Sequence, residues 1–177
     1  MMNETMGNQQ ATEAEIGWLA GIIDGEGHVG ISMQNKSVSR SVSVDLQIVN
    51  TDFALIEKVV SIMRKLDVNP HIRDRIHAKA TWNSNRIVSL RKFAHVKRVL
   101  DAVLPHLTGM KREKAQIVLA LIESRMTKTR FDKYDERELA LVEDFRTSFI
   151  GKYGASTTAR ETRGDFGPAM KIQSGLA

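Results

Sequence analysis

The sequence predicts an α+β domain, an antiparallel sheet with helices packed on one of its faces. Three observations predict it. Apolar residues change several times between helical spacing and strict alternation, the alternating stretches come in adjacent pairs, and helical stretches separate the pairs. The order is helix, two strands, helix, two strands, helix, followed by C-terminal helices.

Residues 1–11 are polar and aperiodic, with no signal-peptide apolar run, and are expected to be a disordered leader. Thr12 can cap a first helix running to about Asp24, with Glu13 and Glu15 in the turn where the helix dipole favours acid. Val29, Ile31 and Met33 then alternate with His28, Gly30, Ser32 and Gln34, which is strand period. A second strand follows in which Val42, Val44, Leu46 and Ile48 alternate with Ser41, Ser43, Asp45 and Gln47, and residues 35–39 form the turn. Asp52 can cap a second helix whose apolar positions are Ile56, Val59, Val60, Met63 and Leu66, broken at Asn69-Pro70. Residues 70–77 and 81–90 form a second strand pair. A third helix runs from near Lys92 to Pro105, and Lys111–Arg125 and Asp135–Ile150 read as two more. Residues 151–177, rich in Gly, Ser and Thr, are expected to be a flexible tail whose Lys152, Arg160, Arg163 and Lys171 outnumber its acids. One domain over residues 12–150 results.

A chain of 177 residues with 42% apolar content is large enough to bury a core of its own. No stretch reaches the roughly 20 apolar residues of a membrane span, so no membrane partner is expected. With no cysteine, disulfides and thiolate zinc sites are excluded, which fits a reducing cytoplasm or, for an organelle-encoded chain, a stroma or matrix. The net charge of +5 favours a polyanionic partner.

The most informative stretch is Gly17-Trp18-Leu19-Ala20-Gly21-Ile22-Ile23-Asp24-Gly25-Glu26-Gly27. A glycine inside a helix costs about 1 kcal/mol relative to alanine, so three spaced four apart need a reason. Close approach of a second helix supplies one, and Gly17, Ala20, Gly21 and Asp24 are read as one face given to a second copy of the chain. Asp24 and Glu26 stand where the helix ends, against its negative pole. A divalent cation, which takes oxygen ligands, would reverse that penalty; a turn residue and a solvated charge are the alternative. Gly25-Glu26-Gly27-His28-Val29-Gly30 also spells the GxGxxG of dinucleotide sites. That motif works only between a strand and a following helix, and here the order is reversed.

Residues 19–27 resemble the LAGLIDADG signature of homing endonucleases, with departures at Ile22, Gly25 and Glu26, and the elements over residues 13–125 resemble that family's αββαββα core. The resemblance implies a site-specific double-strand DNA endonuclease, encoded within an intron or intein. Such an enzyme lays a saddle-shaped antiparallel sheet on DNA and hydrolyses phosphodiester bonds at a long, near-palindromic target. One motif per chain implies a homodimer. The resemblance further implies that Glu26, where the family usually has aspartate, and the backbone at Gly25 bind Mg²⁺. Mn²⁺ is expected to substitute, and Ca²⁺ to support binding without cleavage. By the same likeness Asn50 positions the attacking water, and Lys111 in Leu107-Thr108-Gly109-Met110-Lys111 stabilises the phosphate. Alternatives stay open for both: Asn50 in an ordinary turn or helix cap, Lys111 as one of several basic residues touching phosphates.

DNA contacts are expected from the polar strand face: His28, Ser32 and Gln34; Ser41, Ser43, Asp45 and Gln47; Arg73 and Arg75. Arginine suits guanine and glutamine suits adenine, whereas Asp45 needs a cytosine amino group or a basic neighbour. His71, His77, His95 and His106 have no metal-ligand spacing, and Trp82 falls near a hairpin loop. An RNA-binding maturase acting on its host intron, or a non-catalytic DNA-binding protein, could use the same scaffold without Glu26 or Lys111.

Overall fold

The computed structural model describes residues 10–35, 40–76, 83–129 and 131–150. The expected leader, the first hairpin turn, His77, Trp82 and the basic tail lie wholly or mostly outside these residues. In chain order the elements are α1 (Glu13–Glu26), β1 (Gly27–Asn35), β2 (Arg40–Asn50), α2 (Phe53–Lys65), β3 (His71–Arg75), β4 (Asn85–Leu90), α3 (Phe93–Val103), α4 (Gly109–Met126) and α5 (Glu136–Phe145). This is the predicted order. The sheet is antiparallel throughout, with strand order β1-β2-β4-β3.

The register carries the alternation into space. Val29 faces Leu46, Ile31 faces Val44 and Met33 faces Val42, while His28 faces Gln47, Ser32 faces Ser43 and Gln34 faces Ser41. Successive side chains on a strand point to opposite faces, so the first set goes to the helices and the second away from them. Apart from Met33, which is 37% exposed, the helix-side set joins Leu19 and Ile23 of α1, Ile56 and Met63 of α2, Val96 and Leu100 of α3 and Leu121 and Ile122 of α4 in one buried cluster. Each such leucine or isoleucine contributes about 1.5–3 kcal/mol by leaving water.

The helix ends follow from local chemistry. Thr12 and Glu15 form a capping box at the start of α1, and Asp52 accepts from the backbone N–H of Ala54 and Leu55 to start α2. Helix α1 runs two residues beyond the expected Asp24 and passes straight into β1. A Cβ at Gly27 would lie 2.7 Å from the carbonyl oxygen of Ile23, so only glycine permits this immediate turn from helix to strand. Pro105 sits inside a 3₁₀ turn, Leu104–His106, that prolongs α3 instead of stopping it. The α-helical part of α5 ends at Phe145, short of the expected Ile150, and a π-helical turn covers Arg146–Ile150. Before α5, the Tyr134 hydroxyl accepts from the N–H of Val42, covering part of β2 beyond its pairing with β4. Among the described residues no helix is long and apolar enough to cross a membrane.

Candidate nucleic-acid interface and metal site

The C-terminus of α1 and the N-terminus of α4 meet, and two of the candidate catalytic residues, Glu26 and Lys111, lie at this junction. Asp24 accepts from the backbone N–H of Thr108 at 3.1 Å and from its hydroxyl at 2.9 Å. Thr108 is the N-cap of α4 and makes no side-chain cap of its own, so Asp24 supplies from another helix the carboxylate that this N-terminus favours. In return, the Lys111 ammonium donates to the carbonyls of Ile23 and Gly27 at the end of α1. The Ile23 carbonyl, which also accepts from the Gly27 N–H, lies in the last turn of α1, where a cation is favoured. Burial pushes Lys111 below the ordinary lysine range and the charge of Lys114 adds to this, while Asp24 and Glu26 pull the other way.

One reading of the α1 interface face needs correcting. Ala20 has no exposed surface and belongs to the core with Leu19 and Ile23. It stands three residues after Gly17 and one before Gly21, and at 3.6 residues per turn that swings its Cβ to the core side. Asp24 is half-buried, and its carboxylate is engaged by Thr108 of its own chain. The glycines fit an open face: a Cβ built at Gly17, Gly21 or Gly25 meets nothing within 4 Å.

Glu26 differs from Asp24. It is exposed and makes no hydrogen bond or ion pair among the described residues, although it stands close enough to Lys111 to act on its charge. An unpaired carboxylate added to the negative end of a helix suits a hard cation. The Gly25 carbonyl lies in the last turn, where no following helical N–H can take it. These donors fit part of a magnesium shell, but no three His, Asp or Glu side chains gather into a metal site among the described residues.

Asn50 ends β2, opposite Arg86, on the helix-side parity of its strand. Its Oδ1 accepts from the N–H of Asp52 at 2.8 Å, the turn-capping alternative left open by the sequence. The side-chain NH₂ remains as a donor.

The outward face gathers the expected readers. Ser32 and Ser43 are exposed and hydrogen-bonded to each other at 2.7 Å, and Ser41 is exposed opposite Gln34, whose side chain is outside the described set. Ser89 joins Gln47 on β2 to His71 on β3, and Ile87 likewise joins Val49 to Arg73, so β3 presents His71, Arg73 and Arg75 on the same face as Gln47. All five residues of β3 are exposed. The other side of β3 carries Ile72 and Asp74. Arg86 grips Asp74 through two hydrogen bonds, at 2.7 and 3.1 Å, and holds its carboxyl below the usual range.

Sequence reasoning missed a concavity of about 340 Å³ between Gln47, Asn69, His71, Arg73, Ile87, Ser89 and the start of α3 at Arg91, Lys92 and His95. None of its five basic or imidazole side chains has a carboxylate partner among the described residues. The alternation of Asn85, Ile87 and Ser89 could have placed its β4 wall, but no spacing joins α3 to the sheet face. Thr108 was missed as well. A threonine just before a helical run is a cap signal, yet its partner lies 84 residues away.

No protein-family profile matches this chain, and no curated protein does. Solved structures do. I-GzeII, a LAGLIDADG homing endonuclease in complex with its DNA target, superposes with a TM-score of 0.62 at 15% identity, covering 92% of this chain and 53% of that one. The chain has the LAGLIDADG homing endonuclease fold. I-LtrWI, another such endonuclease bound to target DNA, gives 0.56 at 19% identity over 74% of this chain and 42% of its own. I-CeuI, an intron-encoded homing endonuclease complexed with DNA, gives 0.52 at 17% identity over 67% and 58%. The chain thus spans about half of the length of I-GzeII.

Proposed function

We propose that this protein is a divalent-metal-dependent DNA endonuclease that works as a homodimer on a long, near-palindromic duplex target. The observation that carries the reading is the α1–α4 junction: Glu26, exposed and unpaired, beside a Lys111 ammonium anchored on the last carbonyls of α1. Three further observations support it. The fold is shared with proteins solved on DNA, the outward sheet face is polar and basic, and α1 bears an open glycine stripe. The chain has one motif and about half the length of I-GzeII, so a site made from two motif helices takes two copies.

In this reading the glycine stripes of two copies pack together and bring both Glu26 side chains to the two-fold axis. Each Glu26, with the Gly25 carbonyl, would hold Mg²⁺ there. The chemistry that ion supplies when bound is polarisation of the phosphate and a more acidic water. Lys111 keeps a positive charge where the phosphorane oxygens develop theirs, and its anchoring carbonyls fix its position before DNA arrives. Asn50, with Oδ1 accepting from Asp52, keeps its NH₂ to donate to a water; it orients the nucleophile and takes no proton from it. Arg73, Arg75, Gln47 and the serines of β1 and β2 lie along the groove, and phosphate neutralisation makes binding fall steeply with salt.

The test is Glu26→Gln, assayed for cleavage with Mg²⁺ and for binding with Ca²⁺ on a duplex selected by the wild type. Cleavage is expected to be lost while binding persists or tightens, and Glu26→Asp should still cut. A Glu26→Gln protein cutting at the wild-type rate refutes the assignment. A wild type that binds with Mg²⁺ and never nicks supports a non-catalytic binder instead.

A further inference from the structure

On the outward sheet face an imidazole and a carboxylate meet over a glycine. His28 opposes Gln47 and Gly30 opposes Asp45, so His28 and Asp45 are diagonal neighbours, with His28 Nε2 3.6 Å from Asp45 Oδ2. Position 30 decides whether they can meet. A Cβ there would lie 2.5 Å from His28 Nε2 and 2.9 Å from Asp45 Oδ1, so the two side chains occupy the space a side chain at 30 would fill. Close approach of neighbouring groups is a standard reason for a glycine inside a strand, and here those groups are the polar ends of two side chains.

Asp45 is also the one carboxylate on the described outward positions of the four strands; the rest are His, Ser, Gln, Asn, Arg, Gly, Val and Ile. An acid facing phosphates is repelled unless a cation offsets it or a base donates to it. Both side chains stay partly exposed, His28 at 61% and Asp45 at 29%. An imidazole N–H of His28 and a carboxylate oxygen of Asp45 place a donor beside an acceptor. A G·C pair offers the complement in the major groove: acceptors N7 and O6 on guanine and the N4 amino donor on cytosine.

Resting on the DNA-binding reading above, we propose that His28 and Asp45, positioned by Gly30, form one unit that selects a G·C pair in each half-site. His28 donates to guanine and Asp45 accepts from cytosine. Gly30 is a positioning residue that touches no base.

The experiment selects duplexes from a fully randomised library with the whole protein in Ca²⁺, then compares base preference position by position for the wild type, His28→Ala, Asp45→Asn, Gly30→Ala and the His28→Ala/Asp45→Asn double variant. The wild type should prefer G·C at one position per half-site, on the order of 10-fold over A·T. Each single variant should lower that preference below about 3-fold at that position only, and the double variant should flatten it no further, because one unit is lost once. Gly30→Ala is the sharpest arm, since the added methyl leaves both recognising side chains present. It meets the far end of an exposed histidine, which can swing aside, so the strand is expected to fold. Should Gly30→Ala not fold, His28→Ala and Asp45→Asn decide between them. Wild-type preference retained in those two, or lost at two unrelated positions, overturns the unit. A wild type that enriches no sequence overturns the DNA-endonuclease reading together with it. Enrichment without a G·C position sensitive to these variants overturns the unit alone.

Discussion

Gly21→Leu should move the stability of the single chain and the stability of the assembly in opposite directions. Gly21 is exposed in the interior of α1, and a Cβ there meets nothing within 4 Å, so the isolated fold has room for the new side chain. Leucine replaces the poorest non-proline helix former with one of the better ones, a gain of roughly 0.8–1 kcal/mol in an exposed helix interior. For a chain of this size that raises the melting temperature by about 2–4 °C. The proposed dimer should respond the other way, because a leucine in the middle of a glycine stripe would separate two helices packed along their backbones. The assay pairs thermal unfolding of dilute protein, where single chains dominate, with sedimentation at micromolar concentration and cleavage of the selected duplex. Expected are a higher melting temperature when dilute, monomers at micromolar concentration and no cleavage. A Gly21→Leu protein that dimerises and cuts like the wild type refutes the role given to this face, as does a fully active wild-type monomer.

Asp24→Ala should cost about 1–2 kcal/mol, the worth of a helix N-cap, read by urea unfolding. Asp24→Asn, which keeps an acceptor for the Thr108 hydroxyl, should cost less, and equal stability of all three proteins would refute the latch. Lys111→Gln should slow cleavage on the order of 10²-fold, as loss of a transition-state donor does, with little change in duplex affinity. Lys111 also sets an alkaline limit. Its folded pKa lies below that of a free lysine, so between the two values the unfolded chain holds the extra proton and stability from this group rises with pH. The ammonium that faces phosphate is lost through the same window. Cleavage should therefore fall with rising pH while the protein stays folded, and a fall that merely tracks unfolding would contradict the assignment.

How much of this was legible in the sequence depends on how far apart the interacting residues stand. Period and caps are local signals, and they gave the element order, the inward set Val29, Ile31, Val42, Val44, Leu46 and Ile48, and the capping roles of Thr12 and Asp52. The motif pointed to Glu26 and Lys111, which the fold brings to one junction. Ala20 was misread because spacing of three and of four both count as one helix face, and only the packing of Leu19 and Ile23 decides between them. The partner that Asp24 has within its own chain, the N-terminus of α4, is announced by no spacing along α1. Asn50 carried two readings in the sequence, and its hydrogen bond to Asp52 shows the capping one at work without removing its free NH₂.

The charges at the junction explain why one of two neighbouring carboxylates is used up and the other is not. The end of α1 contributes about half a negative charge and the start of α4 about half a positive one. Asp24 faces the latter and is satisfied within the chain, through both donors of Thr108. Lys111 lies against the α1 carbonyls, while Lys114, one turn further along α4, sits over the Phe149 ring. What is left over is about one negative charge per chain, and Glu26 carries it at the exposed end of the glycine stripe. Two chains packed along that stripe add up to about two negative charges on the axis, which one divalent cation offsets; phosphates entering the groove raise the demand for metal further. Glu26→Gln removes this remainder and leaves the Asp24–Thr108 latch and the Lys111 anchor in place. That is the physical reason to expect cleavage to vanish while the fold, the dimer and DNA binding survive.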